Sequence, residues 1–149
     1  MNYPIIGLFA LAFTFGSVAS NAIASEPPTI VLASDAKYAP APKPYPDGAQ
    51  IAVLSGNPEK AGSQYAVRLK LPDGAVIVPH THGDRENVTV ISGTLLVGVG
   101  TSFDASKMLA LTAGSHASIP PGLPHFAKAK GLTVVQIDGV GPTSTTAIQ

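Results

Sequence analysis

Gly74 to Gly93 reads Gly-Ala-Val-Ile-Val-Pro-His-Thr-His-Gly-Asp-Arg-Glu-Asn-Val-Thr-Val-Ile-Ser-Gly, and it sets two histidines and a glutamate close together. On an extended strand alternate side chains share a face, so His80 and His82 are expected to project from one side, together with Val76 and Val78. Gly83, Asp84 and Arg85 carry turn chemistry, and Glu86 opens a second β-rich run in which Val88 and Val90 share its parity. A hairpin folded at that turn is expected to bring the carboxylate back towards the imidazoles.

Outside this stretch the chain reads as one globular unit behind a leader. Its 149 residues suit a single domain, and 45% apolar content argues for a packed core rather than disorder. Nine acidic and nine basic residues balance, which leaves no basic field for nucleic acid and no polybasic patch for anionic lipid. A small neutral or weakly charged ligand is the expected partner. There is no cysteine, so a disulfide framework, a thiolate nucleophile and a thiolate metal site are all excluded, and any metal must take nitrogen and oxygen ligands.

Residues 1–24 have the character of a signal peptide. Ile5 to Ala19 is an almost continuous apolar run, and Ala22-Ile23-Ala24 precedes the expected cleavage point. The run is shorter than the roughly 20 residues of a membrane span, so export to the periplasm or the medium is expected, with no stable membrane anchor after cleavage. Residues 25–49 are expected to form an extended arm or linker. Thr29 to Ala33 is β-rich enough for a first strand, while Pro40, Pro42, Pro44 and Pro46 favour an extended surface connector without regular hydrogen bonds.

Residues 50–149 carry short β-rich segments bounded by Gly, Pro, Asn or Asp: Gln50 to Ser55, Gln64 to Leu71, Ala75 to His82, Asn87 to Ser92 and Thr94 to Val99. Met108 to Leu111, Ser115 to Ile119, His125 to Ala129, Leu132 to Asp138 and Thr143 to Ile148 follow in the same style, with one helical turn available at Ser102 to Met108. Many short strands with this punctuation indicate an all-β sandwich, jelly roll or barrel.

A second informative stretch runs from Gly114 to Ala129. Pro120, Pro121 and Gly122 force a tight turn and Pro124 returns the chain to an extended path, which mounts His125 at a strand start beside a corner. A lone histidine is more often a satisfied core or surface residue than a ligand. Three imidazoles and a carboxylate together suit a divalent first-row metal.

The two stretches resemble the two motifs of the cupin superfamily. The first motif is matched by Gly74, His80, His82, Glu86 and Gly93, and the second by Gly114, Pro120, Gly122 and His125, with Ala129 where the pattern ends in asparagine. The resemblance spans Gln64 to Asp138. It implies an antiparallel jelly-roll barrel of cupin type, with His80, His82, Glu86 and His125 as ligands of iron, manganese, zinc, nickel or copper. It also suggests pairing of barrels as a homodimer.

Four protein ligands on a six-coordinate ion leave two positions open for water, substrate or dioxygen. The leading expectation is therefore an exported metal-binding protein with dioxygenase-like oxidoreductase activity on a small organic molecule. The alternative is a non-catalytic protein that captures a small ligand or a metal. His116, outside the motif pattern, is the candidate acid or base if it faces the pocket. Tyr65, Arg68 and Gln136 are candidate wall residues, and Asp84 with Arg85 reads by default as a solvated charge pair.

Overall fold

A computed structural model describes residues 27–148; the leader expected over residues 1–24 lies outside the described residues. The strands are β1 (Ala39–Pro40), β2 (Gln50–Ser55), β3 (Gln64–Leu71), β4 (Val76–His82), β5 (Glu86–Val99), β6 (Leu109–Thr112), β7 (His116–Ile119), β8 (His125–Val140) and β9 (Thr145–Ala147). A 3-10 turn at Ala105–Lys107 is the one helical element among the described residues.

Every pairing is antiparallel, and β8 is the spine. One edge of β8 takes β4 along its first half and β3 along its second, while the other edge takes β5 along its length. β5 in turn carries β6 and β7 on its far side. The sheet curls around a core in which Val67, Leu69 and Leu71 of β3 meet Val88, Val90 and Leu95 of β5 and Val135 and Ile137 of β8. The strict alternation of β3, buried at Tyr65, Val67, Leu69 and Leu71, is the pattern of a half-buried strand.

Two strands are longer than their sequence suggests, because glycine interrupts the pattern without ending the strand. Asn87 to Ser92 and Thr94 to Val99 are one strand that kinks at Gly93, where the register against β8 shifts and φ is 78°. A Cβ there would lie 2.5 Å from the Leu132 carbonyl oxygen, so the close crossing of β5 and β8 needs glycine. His125 to Ala129 and Leu132 to Asp138 likewise form a single strand.

Four expectations are corrected. Thr29 to Ala33 forms no strand: Ile30 and Leu32 are exposed and find no pairing partner, so β-propensity alone does not hold them. The proline-rich arm is not a free connector, because β1 pairs with β2 and both Ala41 and Tyr45 pack on the core. β4 and β5 do not form a hairpin; each bonds to β8, and the chain crosses over at Gly83 to Arg85. Finally, Val78 does not share a face with His80. Ile77 is buried and Val78 exposed, because an extra residue of β4 is accommodated between Ile77 and His80. Pro79, which has no N–H to give the ladder, sits in that bulge.

Candidate metal centre

The bulge in β4 sets His80 opposite His125 of β8, and resumed alternation turns His82 to the same interior side. The Pro120 to Pro124 turn, which delivers His125, is clipped to β4 by the Gly122 N–H, which donates to the His82 carbonyl at 2.9 Å. Glu86 enters from the start of β5. All four side chains are buried, and one ligand atom from each histidine lies within 4.8 Å of the others. The Glu86 Oε2 is 3.4 Å from His82 Nε2 and 3.3 Å from His125 Nε2. Three histidines of this geometry can hold a metal ion.

The backbone orients each ring. His80 Nδ1 meets the Val78 carbonyl at 2.7 Å, His125 Nδ1 meets the Leu123 carbonyl at 3.0 Å, and His82 Nδ1 meets the Ser144 carbonyl at 3.1 Å. A carbonyl can only accept, so each Nδ1 carries the proton and each Nε2 presents a lone pair to the interior. His82 Nε2 is buried without a hydrogen-bond partner even though Glu86 lies near. In the neutral rings, lone pairs therefore face a carboxylate oxygen with no hydrogen between them. A proton or a cation relieves that arrangement, and three nitrogens with one carboxylate oxygen fit a divalent first-row ion.

Burial pushes the His80 pKa down to about 4, with His125 and His82 acting in the same direction and the Val78 carbonyl and Glu86 opposing. Burial also acts most strongly on His82 and would lower it, but hydrogen bonding and charge from Glu86 outweigh this and raise it. For Glu86 burial works upward, yet His125 and His82 hold the carboxyl well below its ordinary range. A neutral His80 beside an ionised Glu86 is the state that a metal requires.

Two spaces meet at the cluster. An inner cavity of about 30 Å³ is walled by Leu69, Val88, Ile119 and other apolar side chains together with His80, Glu86 and His125. An outer chamber of about 240 Å³, lined by His82, Glu86, Pro42, Pro44, Pro58, Tyr65 and Thr145 among others, opens on the other side. The inner space has room for little more than water; an organic ligand belongs in the outer one.

The remaining candidates divide. Tyr65 does face the outer chamber, and its hydroxyl donates to Asp84 Oδ2 at 3.0 Å. Burial chiefly, then the bond to Asp84 against the pull of Thr143, pushes that hydroxyl up to about 12. Asp84 also accepts from Thr143 at 2.9 Å, while Arg85 reaches Ser118, so the two are not a charge pair. Arg68, Gln136 and His116 lie in one row across the outer face of the sheet, joined through Thr89. His116 is exposed and bonds Thr89 at 3.0 Å, whereas its neighbours Ala117 and Ile119 line the cavity. The strand's parity turns His116 away from the centre, and it has no catalytic position there. Ala129 is fully buried in the core, where an asparagine side chain would need partners the apolar surroundings do not offer. Tyr45 lines both spaces, and no periodic signal in its proline-rich loop announces it.

The model of the family described as Cupin matches residues 45–148. The fold is similar to that of an RmlC-like cupin from Shewanella frigidimarina (TM-score 0.60, 19% identity, 76% of this chain and 91% of that one). It is also similar to the polyketide cyclase RemF from Streptomyces resistomycificus (TM-score 0.67, 16% identity, 80% and 84%). A third likeness is to a salicylate 1,2-dioxygenase from Pseudaminobacter salicylatoxidans (TM-score 0.56, 12% identity, 69% and 31%). These identities carry the fold and not the chemistry. No curated protein matches the chain.

Proposed function

The chain belongs to the cupin family, and from that premise we propose that it is a metal-dependent enzyme of dioxygenase-like chemistry acting on a small organic molecule. His80, His82, Glu86 and His125 hold a divalent ion in this reading. The observation that carries it is the convergence of three backbone-tethered imidazoles and a buried carboxylate at the junction with a chamber of ligand size. An iron, manganese, nickel or copper ion in that place supplies redox and Lewis-acid activation, and zinc Lewis-acid activation alone.

The protein's own groups do the rest. The carbonyls of Val78, Leu123 and Ser144 fix the ring orientations, so little reorganisation accompanies loading. Glu86 offsets part of the ion's charge. The apolar wall of the inner cavity keeps bulk water from the far side of the centre, and the outer chamber admits the substrate. The salicylate dioxygenase of like fold supports the competence of this architecture for such chemistry. Export is part of the proposal and rests on residues 1–24 alone.

Non-catalytic capture is the second reading, favoured by one feature: apart from His80, Glu86, His125 and Tyr45, the inner cavity is lined only by apolar residues. Elemental analysis of protein purified from its native compartment, followed by oxygen uptake with catechols, β-diketones and hydroxylated aromatic acids, separates the readings. A stoichiometric redox metal with substrate-dependent uptake supports the enzyme. Stoichiometric metal without turnover supports capture, and absence of bound metal refutes the enzyme and leaves only capture of a small ligand.

A further inference from the structure

Tyr45 comes from the arm, distant in sequence from every candidate ligand. Yet with Glu86 and Ile137 it is shared by the inner cavity and the outer chamber. Backbone bonds hold it there. The Tyr45 N–H donates to the Pro42 carbonyl at 3.1 Å, the Ala49 N–H to the Pro46 carbonyl at 3.1 Å, and the Ala41 N–H closes the loop on the Ala49 carbonyl at 2.9 Å. Ala49 is buried in the core against which Tyr45 packs. Thr145 lines the outer chamber with Tyr45, and its hydroxyl stands 3.3 Å from His82 Nδ1. The arm's loop is thus a fixed wall of the centre, and Tyr45 brings the one hydroxyl that lines the inner cavity among the described residues.

We infer that Tyr45 is a ligand-contacting residue, whose hydroxyl donates a hydrogen bond to the acceptor oxygen of a small organic molecule seated at the metal through the outer chamber. The inference rests on the metal reading of His80, His82, Glu86 and His125. The chamber also bounds the ligand's class. Pro42, Pro44 and Pro58 offer an apolar surface for its body, and the one lysine or arginine that lines it, Lys43, is already paired with Asp47 at 2.8 Å. No further cation is left to balance a phosphate or a second carboxylate. The class is therefore an oxygen-donor chelate with at most one negative charge and an apolar body.

Acetohydroxamate, which presents such a head, is the probe. The full chain is loaded with Co2+, whose visible bands report its coordination, and titrated with acetohydroxamate as wild type, Tyr45→Phe and Tyr38→Phe. Tyr38 lies under the Lys70 ammonium, 4.0 Å from its ring centroid, and lines neither space. Tyr45→Phe keeps the ring, the Co2+ stoichiometry and the melting temperature, and weakens acetohydroxamate about 10-fold, the loss of one hydrogen bond to a charged acceptor. Tyr38→Phe binds the probe as wild type does. Unchanged affinity in Tyr45→Phe, or equal weakening in both variants, overturns the inference while leaving the metal reading intact. Wild type that takes up no Co2+ overturns both.

Discussion

Acidification of the metal-free protein tests the electrostatics of the centre through His80. Its imidazole is buried, 3% exposed, and burial holds its pKa at about 4 against an ordinary value of 6.5. Above pH 6.5 the ring is neutral both folded and unfolded and makes no difference to stability. Between 6.5 and 4 the unfolded chain takes a proton that the folded chain refuses, so stability falls as pH falls, and below 4 the loss is complete. A gap of about 2.5 pH units at about 1.4 kcal/mol each makes the complete loss about 3.5 kcal/mol, of which about 3 kcal/mol is reached at pH 4. The control is His80→Asn, whose amide can still donate to the Val78 carbonyl but does not titrate. Urea unfolding in chelator, at about pH 7.5 and about pH 4, should show wild type losing about 3 kcal/mol more than the variant, or about 1–3 M in midpoint. Equal losses would refute the reasoning, because they would mean that folded His80 accepts a proton as readily as a free imidazole.

The other expectations concern the ligand set and the packing behind it. His82→Ala should lose most bound metal in equilibrium dialysis while its far-ultraviolet circular dichroism stays β-rich; stoichiometric metal in that variant removes His82 from the ligand set. Metal affinity of the wild type should fall steeply below about pH 6, as imidazoles compete for protons, and full occupancy at about pH 4.5 would contradict the site. Gly98→Ala should destabilise the fold by about 1–3 kcal/mol, because its Cβ would enter the ring of Phe126, which is fully buried and paired with Gly98 across β5 and β8. Wild-type stability of that variant in urea would show that the Phe126 ring can move aside.

How far these features were legible depends on which physics each one obeys. β3 runs as expected because its alternation is a local signal, and β2 because the Gly, Asn and Pro after it are another. The glycines at 93 and 131 read as breaks because composition cannot distinguish a turn from a kink that cross-strand bonds hold together. Val78 went to the wrong face because parity counting assumes an unbroken ladder, and the bulge at Pro79 resets it. Thr29 to Ala33 fails for the opposite reason: its local preference is sound but no strand lies beside it. The meeting of His80, His82, Glu86 and His125 was visible through two spaced motifs. Tyr45 was not, since a tertiary contact from an aperiodic loop leaves no spacing to read.

The centre also explains why two neighbouring histidines respond oppositely to one environment. Both are buried, and burial alone would lower both, as it lowers His80. His82 differs because Glu86 stands 3.4 Å from its Nε2, and the carboxylate's hydrogen bonding and charge reverse the sign. Without metal, the facing lone pairs of His82 and Glu86 are relieved most readily by one proton held between them, which agrees with a raised His82 and a lowered Glu86. His80, tilted against His125 with centroids 4.1 Å apart, stays neutral. A cation entering the proposed site therefore finds one imidazole already free and must displace a proton from another. Metal uptake and proton release are then coupled chiefly at the His82–Glu86 pair, and acid should act on that pair before it reaches His80.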